Sequence, residues 1–179
     1  MHKEFAVTPP GRMALVGIWL PTAIAIAVVI GTAVAQSQQT SPRALLMTLP
    51  FLVLISLGIA WAARRRRIVL DNRELEITAA LYRKRISVEA LDLERARVLN
   101  LEEHTELRPA VKTNGFNLPG FAAGHYRMRN LSKAFCLVTD RTQVLALPQR
   151  DGPMILLSAE KPRALLDELR ELATPGYRR

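Results

Sequence analysis

Two long stretches without a charged residue occupy the first third of the chain, and they predict a pair of transmembrane helices. Met13 to Ala35 and Ala44 to Ala63 contain no Lys, Arg, Asp, Glu or His. At roughly 1.5 Å rise per residue, each stretch can span a hydrocarbon core of about 30 Å. The polar segment between them, Gln36 to Arg43, is short. We therefore predict an antiparallel hairpin with helices over about 13–35 and 44–63.

From Ile68 onward the apolar residues recur in short alternating runs, which are typical of β-strands. Turn-forming residues separate these runs at Asp71-Asn72-Arg73, at Asp140-Arg141-Thr142 and at Gln149 to Gly152. The basic segment Tyr82 to Arg85 is interpreted as a polar break between two strands. The pattern predicts about seven short antiparallel strands.

The period changes again near the C-terminus and predicts one amphipathic helix. One face of this helix would carry the apolar residues Leu165, Leu166, Leu169 and Leu172. Pro162 suits the first turn, and Ser158 or Glu160 is expected to cap or favour the helix start. Pro175-Gly176 is expected to end it.

The placement of positive charge gives the hairpin a direction. Arg64 to Arg67 follow the second apolar stretch directly, Lys3 and Arg12 flank the first, and Arg43 is the sole charged residue of the connecting loop. Positive residues in short flanks collect on the cytoplasmic side of a membrane. We expect a multi-pass protein of the bacterial cytoplasmic (inner) membrane, with everything after Arg67 in the cytoplasm.

A cleaved first segment is an alternative to the hairpin. Ala33-Val34-Ala35 before Gln36 has the small-residue pattern of a signal-peptide cleavage site. The apolar region is long for such a signal, and the second stretch would still end at Arg64 to Arg67 if cleavage occurred.

The distribution of charge argues against a nucleic-acid partner. The chain of 179 residues has a net charge of +9, of which Arg64 to Arg67 contribute 4. Residues 68–179 contain 18 Lys and Arg against 15 Asp and Glu, a net charge of only +3. Nucleic-acid-binding domains usually concentrate basic residues within the domain itself. The one cysteine, Cys136, lies in an apolar run and is expected to be a buried structural thiol.

Several segments after Arg67 resemble those of bacterial pleckstrin-homology-like (PH-like) domains. The resemblance rests on the glycine-spaced segment Lys112 to Tyr126, the strand pair Phe135 to Leu157, and the ending Ser158 to Pro162 before a leucine-faced helix. It covers roughly Arg67 to Ala173 and implies a barrel used for binding or assembly, not an enzyme, and no cofactor. Three glycines are interpreted as structural turn residues: Gly115, Gly120 and Gly124.

The resemblance does not carry over the inositol-phosphate site of eukaryotic relatives. Those relatives often bind phosphoinositides through basic residues in the turn between the first two strands. The corresponding turn, Asp71-Asn72-Arg73, lacks a basic cluster.

Basic residues near the membrane are the candidate lipid-binding residues. They are Arg64, Arg65, Arg66, Arg67, Arg83, Lys84 and Arg85. If Arg83 to Arg85 face the bilayer, they can hold anionic lipid together with Arg64 to Arg67. The alternative for Arg83 to Arg85 is a solvated turn. Glu102-Glu103-His104 is interpreted as a polar loop, because a metal or acid–base site needs more ligands close in space and spacing alone does not join His125 to it.

These observations predict three regions and two candidate functions. Residues 1–67 would form the hairpin with its basic flank, 68–175 a cytoplasmic PH-like barrel with a C-terminal helix, and 176–179 a tail. The leading hypothesis is a membrane-anchored interaction module that binds the lipid bilayer surface, an unknown protein partner, or itself in a homo-oligomer. The alternative is an accessory or regulatory subunit of a membrane transport or envelope-synthesis complex. In that case the hairpin would pack on other helices through small residues such as Gly17, Gly31, Ala33 and Gly58.

Overall fold

The computed structural model describes residues 2–35 and 42–174, which form two apolar helices, two β-sheets and a C-terminal helix. In chain order the elements are β1 (His2–Phe5), α1 (Arg12–Ala35), α2 (Pro42–Arg64), β2 (Arg66–Asp71), β3 (Glu74–Ala79), β4 (Tyr82–Ser87), β5 (Arg97–Leu99), β6 (Pro109–Leu118), β7 (Phe121–Met128), β8 (Lys133–Val138), β9 (Val144–Gln149), β10 (Gly152–Leu157) and α3 (Pro162–Ala173). Single 3₁₀ turns cover Val88–Ala90 and Thr105–Leu107.

Helices α1 and α2 lie side by side, and both are long and apolar enough to cross a membrane. A polar contact joins them, because the hydroxyl oxygens of Thr22 and Ser56 are 2.7 Å apart. Each hydroxyl also bonds a carbonyl four residues earlier in its own helix, at Ile18 and Leu52. The helices begin one or two residues before the predicted bounds. Most of the predicted connecting loop, 36–41, lies outside the described residues.

The first sheet is antiparallel, with the order β1-β2-β3-β4. The β2–β3 turn has positive φ at Asn72 (45°) and Arg73 (68°), the backbone geometry of a two-residue hairpin whose twist matches its strands. On β3, Leu75, Ile77 and Ala79 are fully buried on one face. The alternation in the sequence therefore places the inner face of this sheet correctly.

The second sheet has the order β5-β9-β10-β8-β7-β6, and its central strands β8, β9 and β10 contribute buried residues to both faces. On β8, Phe135 and Leu137 belong to the main core, while Ala134, Cys136 and Val138 belong to a second apolar cluster on the opposite face. Strands β8 and β10 pair in parallel.

The predicted mainly-β, barrel-like fold with a C-terminal helix is confirmed, with two differences. The described residues contain ten strands where about seven were predicted, and the β8–β10 pair is parallel where all strands were expected to be antiparallel. The extra strands include β1, which precedes the hairpin, and β4 begins at Tyr82, within the segment Tyr82–Arg85 that was interpreted as a polar break. Their mostly polar residues lack the apolar runs from which strands were predicted.

Helix α3 packs on the main core as predicted, but its N-terminus differs from the prediction. Leu165, Leu166 and Leu169 are buried. The N-cap is Lys161, which makes no capping bond through its side chain. The Ser158 hydroxyl instead donates to the carbonyl oxygen of Asp140 (2.8 Å), which ties the end of β10 to the β8–β9 turn.

The N-terminal residues belong to the first sheet, although the sequence interpretation grouped them with the hairpin in 1–67. His2–Phe5 pair with Ile68–Asp71 of β2. The following residues bridge to the end of β10, where Thr8 N donates to Ser158 O and Glu160 N donates to Ala6 O, both at 3.0 Å. A four-residue strand that pairs more than sixty residues away has no local sequence signal. The segment 2–8 thus links the first sheet to the end of β10 in the second sheet.

Candidate functional site

The ends of both apolar helices are packed into the core of the β-domain. Ala14 and Ile18 of α1 and Ala63 of α2 are buried in the same cluster as Ile68. Gly17 faces the tip of the β6–β7 hairpin so closely that an added Cβ would lie 2.4 Å from Pro119 Cδ. The start of α1, the end of α2 and the β-domain therefore share one apolar core.

The consecutive arginines at this junction have different surroundings. Arg64 ends α2 and is exposed. The Arg65 guanidinium lies over the Trp61 ring, 4.8 Å from its centroid, a cation–π contact. Arg67 makes a bidentate ion pair with Glu4 of β1, at 2.8 and 2.7 Å. Only Arg64 and Arg65 of the predicted cluster are thus both exposed and without an ion pair among the described residues.

Arg66 points into the protein. Its side chain is partly buried, and no described residue accepts a hydrogen bond from its buried Nη1. Burial lowers the pKa of the Arg66 guanidinium from its ordinary value. A buried, unpaired N–H group costs free energy, so Arg66 is an unusual residue to find at the start of a strand.

The predicted patch at Arg83, Lys84 and Arg85 is divided between two faces of a strand. Tyr82 to Arg85 lie in β4, not in a break between strands. Arg83 and Arg85 both pair with Glu76 on β3, at 2.9 and 2.7 Å. Lys84 points to the other face, where its Nζ lies 5.7 Å from the centroid of the Phe135 ring and burial lowers its pKa. The seven candidate lipid-binding residues therefore do not form one continuous patch.

The three glycines singled out in the sequence have two different roles. Gly120 is in the β6–β7 turn with φ of +75° and open space where a Cβ would lie. Gly115 and Gly124 are opposite each other within β6 and β7, not in turns as predicted. An added Cβ at either position would come within 2.7 Å of the backbone of the facing strand. These two glycines allow a close approach of the strands.

His104, His125 and Cys136 make contacts that are typical of structural residues. His104 lies 3.3 Å from Glu106 on the loop before β6. The His125 ring packs edge-on against Tyr82 and Phe135. Cys136 is fully buried, as predicted, and burial raises the pKa of its thiol. Within the described ranges, no three His, Cys, Asp or Glu side chains could hold a metal ion.

Sequence reasoning missed two contact residues: Glu4, which joins β1 to β2 through Arg67, and Pro119, which packs the β-domain against Gly17 of α1. Glu4 is the one acidic residue before Asp71, which is a weak signal for a partner among the basic residues. The sequence gives no sign of the contact made by Pro119, because its partner on α1, Gly17, has no side chain that would indicate a contact.

Comparison with protein families identified one relationship. The sequence model of the bacterial PH domain matches residues 66–173, which begin with β2 and end with α3. Neither the curated proteins nor the solved structures gave a match. The matched segment leaves out β1, although β1 completes the first sheet.

Proposed function

The chain belongs to the bacterial PH domain family, and on that premise we propose that it is a membrane-anchored interaction module. The two apolar helices would hold the PH domain against the cytoplasmic face of the inner membrane. The observation that carries the proposal is the shared core, in which Ala14, Ile18 and Ala63 pack with the apolar residues of the β-domain. A domain built on the ends of two membrane helices cannot leave the membrane surface without unpacking.

The connection between the hairpin and the domain is short at both ends. One residue, Arg65, separates the end of α2 from the start of β2, and its carbonyl oxygen accepts a 2.8 Å bond from Ala80 N. Before α1, the chain is tied to the domain through β1 and the bonds at Ala6 and Thr8. Two such attachments would hold the domain in one orientation relative to the bilayer.

The charges at the junction favour a cytoplasmic orientation and contact with anionic lipid. Arg64 and Arg65 are exposed, and Arg12 begins α1 at the same end of the hairpin. Anionic head groups attract basic residues near the surface by about 1 kcal/mol each. The described side chains of Arg67, Arg83 and Arg85 are already paired with carboxylates, so they contribute less than the sequence suggested.

We propose binding, not catalysis, as the activity, and we expect no nucleic-acid partner. A protein partner or a second copy of the chain would meet a domain whose position at the membrane is fixed, which raises the effective concentration of both. The alternative role, as an accessory subunit acting through the hairpin, rests on small residues that a neighbouring helix would contact. One of these, Gly17, is occupied within the chain by Pro119, which favours the module.

The orientation can be tested by cysteine labelling in cells, because the native Cys136 is buried and serves as an internal negative control. We expect a membrane-impermeant maleimide to label Asp151→Cys, an exposed position on the β9–β10 turn, only after the cytoplasmic membrane is opened. Gln38→Cys, in the segment between the helices, should be labelled in intact cells. Labelling of Asp151→Cys in intact cells would overturn the proposed orientation.

A further inference from the structure

We propose that a basic cavity beside the β6–β7 hairpin binds a phosphate ester. The cavity has a volume of about 360 Å³ and lies on the outer face of the second sheet. Four basic residues from separate segments line it, namely Arg108, Lys112, Arg129 and Arg141. None of them belongs to the predicted cluster at the membrane junction, and the site is separate from the turn Asp71-Asn72-Arg73.

Backbone hydrogen bonds hold the segments that carry these residues in place. Arg129 N donates to Arg108 O (3.1 Å), and Leu101 N donates to Arg141 O (2.7 Å). The Arg108 guanidinium is fixed as well, since its Nε donates to Leu101 O (2.6 Å) and its Nη2 to Glu102 O (3.2 Å). The site is therefore preorganised, and the guanidinium of Arg108 still has donors to spare.

The shape of the cavity comes from a bend in the β6–β7 hairpin. The pairing register shifts between Pro109 and Val111 and again between Lys112 and Asn114, and such bulges bend and twist a strand. As a result, residues from both ends of the hairpin line one cavity. The buried Tyr126, which also lines it, donates from its hydroxyl to Phe116 O at 2.8 Å and holds the bent strands together.

The cavity has positive charge without a counter-ion. No Asp or Glu lines it. Within the described part of the chain, Lys112, Arg129 and Arg141 make no ion pair. Two acids of the neighbouring loop have partners outside the cavity, since Glu103 accepts from Asn100 and Glu106 lies beside His104. Other exposed arginines, such as Arg67 and Arg85, do have carboxylate partners.

A phosphate group fits this chemistry better than a single carboxylate. Four cations that converge without an acid call for an anion with more than one charge or several acceptor oxygens. Guanidinium groups match phosphate oxygens through parallel N–H···O bonds. A cavity of about 360 Å³ has the size of a small-molecule site, too small for a folded protein or a duplex.

The place of the cavity indicates where the phosphate would come from. Leu118 and Gly120, on either side of the α1 contact at Pro119, are among the residues that line the cavity. Gly17, which Pro119 faces, is five residues after the start of α1, roughly 8 Å along the helix axis. A phospholipid head group at the membrane surface is therefore within reach, and a soluble phosphate ester shares the same chemistry. Only this choice of source depends on the proposed membrane anchoring.

The test is calorimetric titration of the full chain in uncharged detergent with two probes, inorganic pyrophosphate and water-soluble dihexanoyl phosphatidate. Arg129→Gln combined with Arg141→Gln removes two cations of the cavity. The turns that carry these residues are held by the backbone groups of Arg129 and Arg141, which the substitutions leave in place. Arg127→Gln combined with Lys133→Gln is the matched control. It removes the same charge from exposed positions that do not line the cavity. Thermal unfolding of both pairs checks that they fold.

We expect affinity to fall about tenfold for each cavity arginine removed and to change little in the control pair. If the cavity variant loses affinity for phosphatidate and pyrophosphate does not bind, the result supports the site with a lipid as the source of the phosphate. Loss confined to pyrophosphate supports it with a soluble source. The proposal is overturned if neither probe binds the wild-type chain, or if the two pairs lose affinity equally. The outcome is independent of orientation in the membrane, which the labelling experiment decides separately.

Discussion

At the residue scale, neighbouring positions of the same type differ because each side chain leaves the backbone in its own direction. Arg64 is exposed, Arg65 lies on Trp61, Arg66 turns inward and Arg67 pairs with Glu4. Arg66 and Arg67 are adjacent in β2, so they point to opposite faces of the sheet. A run of like residues is therefore not one site.

The glycines give a prediction at this scale, because they separate backbone strain from steric clash. Gly120→Ala meets strain alone, Gly115→Ala meets the backbone oxygen of Ala123 at 2.7 Å, and Gly124→Ala combines φ of +108° with contact to Asn114 O at 2.7 Å. We expect Gly120→Ala to cost about 1 kcal/mol of unfolding free energy and Gly124→Ala about 3 kcal/mol or more. Thermal unfolding followed by circular dichroism measures the order. Equal losses at Gly120 and Gly124 would contradict it.

At the element scale, two strands are stabilised by partners that the local sequence does not indicate. These partners are a strand distant in the chain for β1 and a residue of opposite charge for β4. Strand β1 is held by β2 and by Glu4 on Arg67, and Lys3 adds an ion pair with Glu168 of α3. Strand β4 is basic on its outer face, but Glu76 on β3 lies between Arg83 and Arg85 and offsets their repulsion. Cross-strand pairs of opposite charge stabilise a sheet where local pattern does not.

The attachment of β1 is expected to weaken in acid. The hydrogen bond from Arg67 lowers the pKa of Glu4 below its ordinary value of 4.5. A lowered carboxyl pKa contributes stability that is complete above the unfolded-state value and is lost as pH falls through the folded-state value. Hydrogen exchange in His2–Phe5 and Arg66–Asp71 should therefore be slower in the wild type than in Glu4→Gln at about pH 6, and this difference should be smaller at about pH 3. A difference of the same size at both values would count against this role of Glu4.

At the scale of the whole molecule, the helical hairpin and the β-domain share one core, since this core includes both helix ends and the strand before the first helix pairs with β2. The segment matched by the family, 66–173, is thus shorter than the unit that buries the core. This arrangement explains why β1 can lie beside β2 although the hairpin separates them in the chain. The antiparallel hairpin brings the end of α2 back beside the start of α1.

A fragment test follows from the shared core. Residues 64–174 alone lack β1, whereas a fragment in which a short Gly/Ser linker joins residues 2–10 to 64–174 regains its pairing with β2. We expect the linked fragment to unfold at a higher temperature than the unlinked one, and both to unfold below the full chain in detergent, because Ala14 and Ile18 are missing. A linked fragment that carries Phe5→Pro is the control, since proline cannot donate to a strand ladder. Equal stability of the linked and unlinked fragments would show that β1 adds nothing.

The sequence by itself determined the three classes of element and the order of most of them, but not β1. The length of the two uncharged stretches predicted the two helices, and the alternation of apolar residues predicted most strands. The leucine spacing predicted the buried face of α3, where Leu165, Leu166 and Leu169 pack. These features depend on local periodicity, which a single sequence displays directly. The likeness of 67–173 to bacterial PH domains followed from the same patterns and is confirmed by the match over 66–173.

Only the tertiary structure decided which residues meet. Glu4 pairs with Arg67, Gly17 faces Pro119, and four basic residues between Arg108 and Arg141 converge on one cavity. Each of these contacts joins segments far apart in the chain, and whether two such segments meet depends on strand order, register and bends that carry no local signal. The candidate cluster was dispersed and a different basic site was assembled for the same reason. Charge in a sequence gives the number of cations, while the fold decides their neighbours.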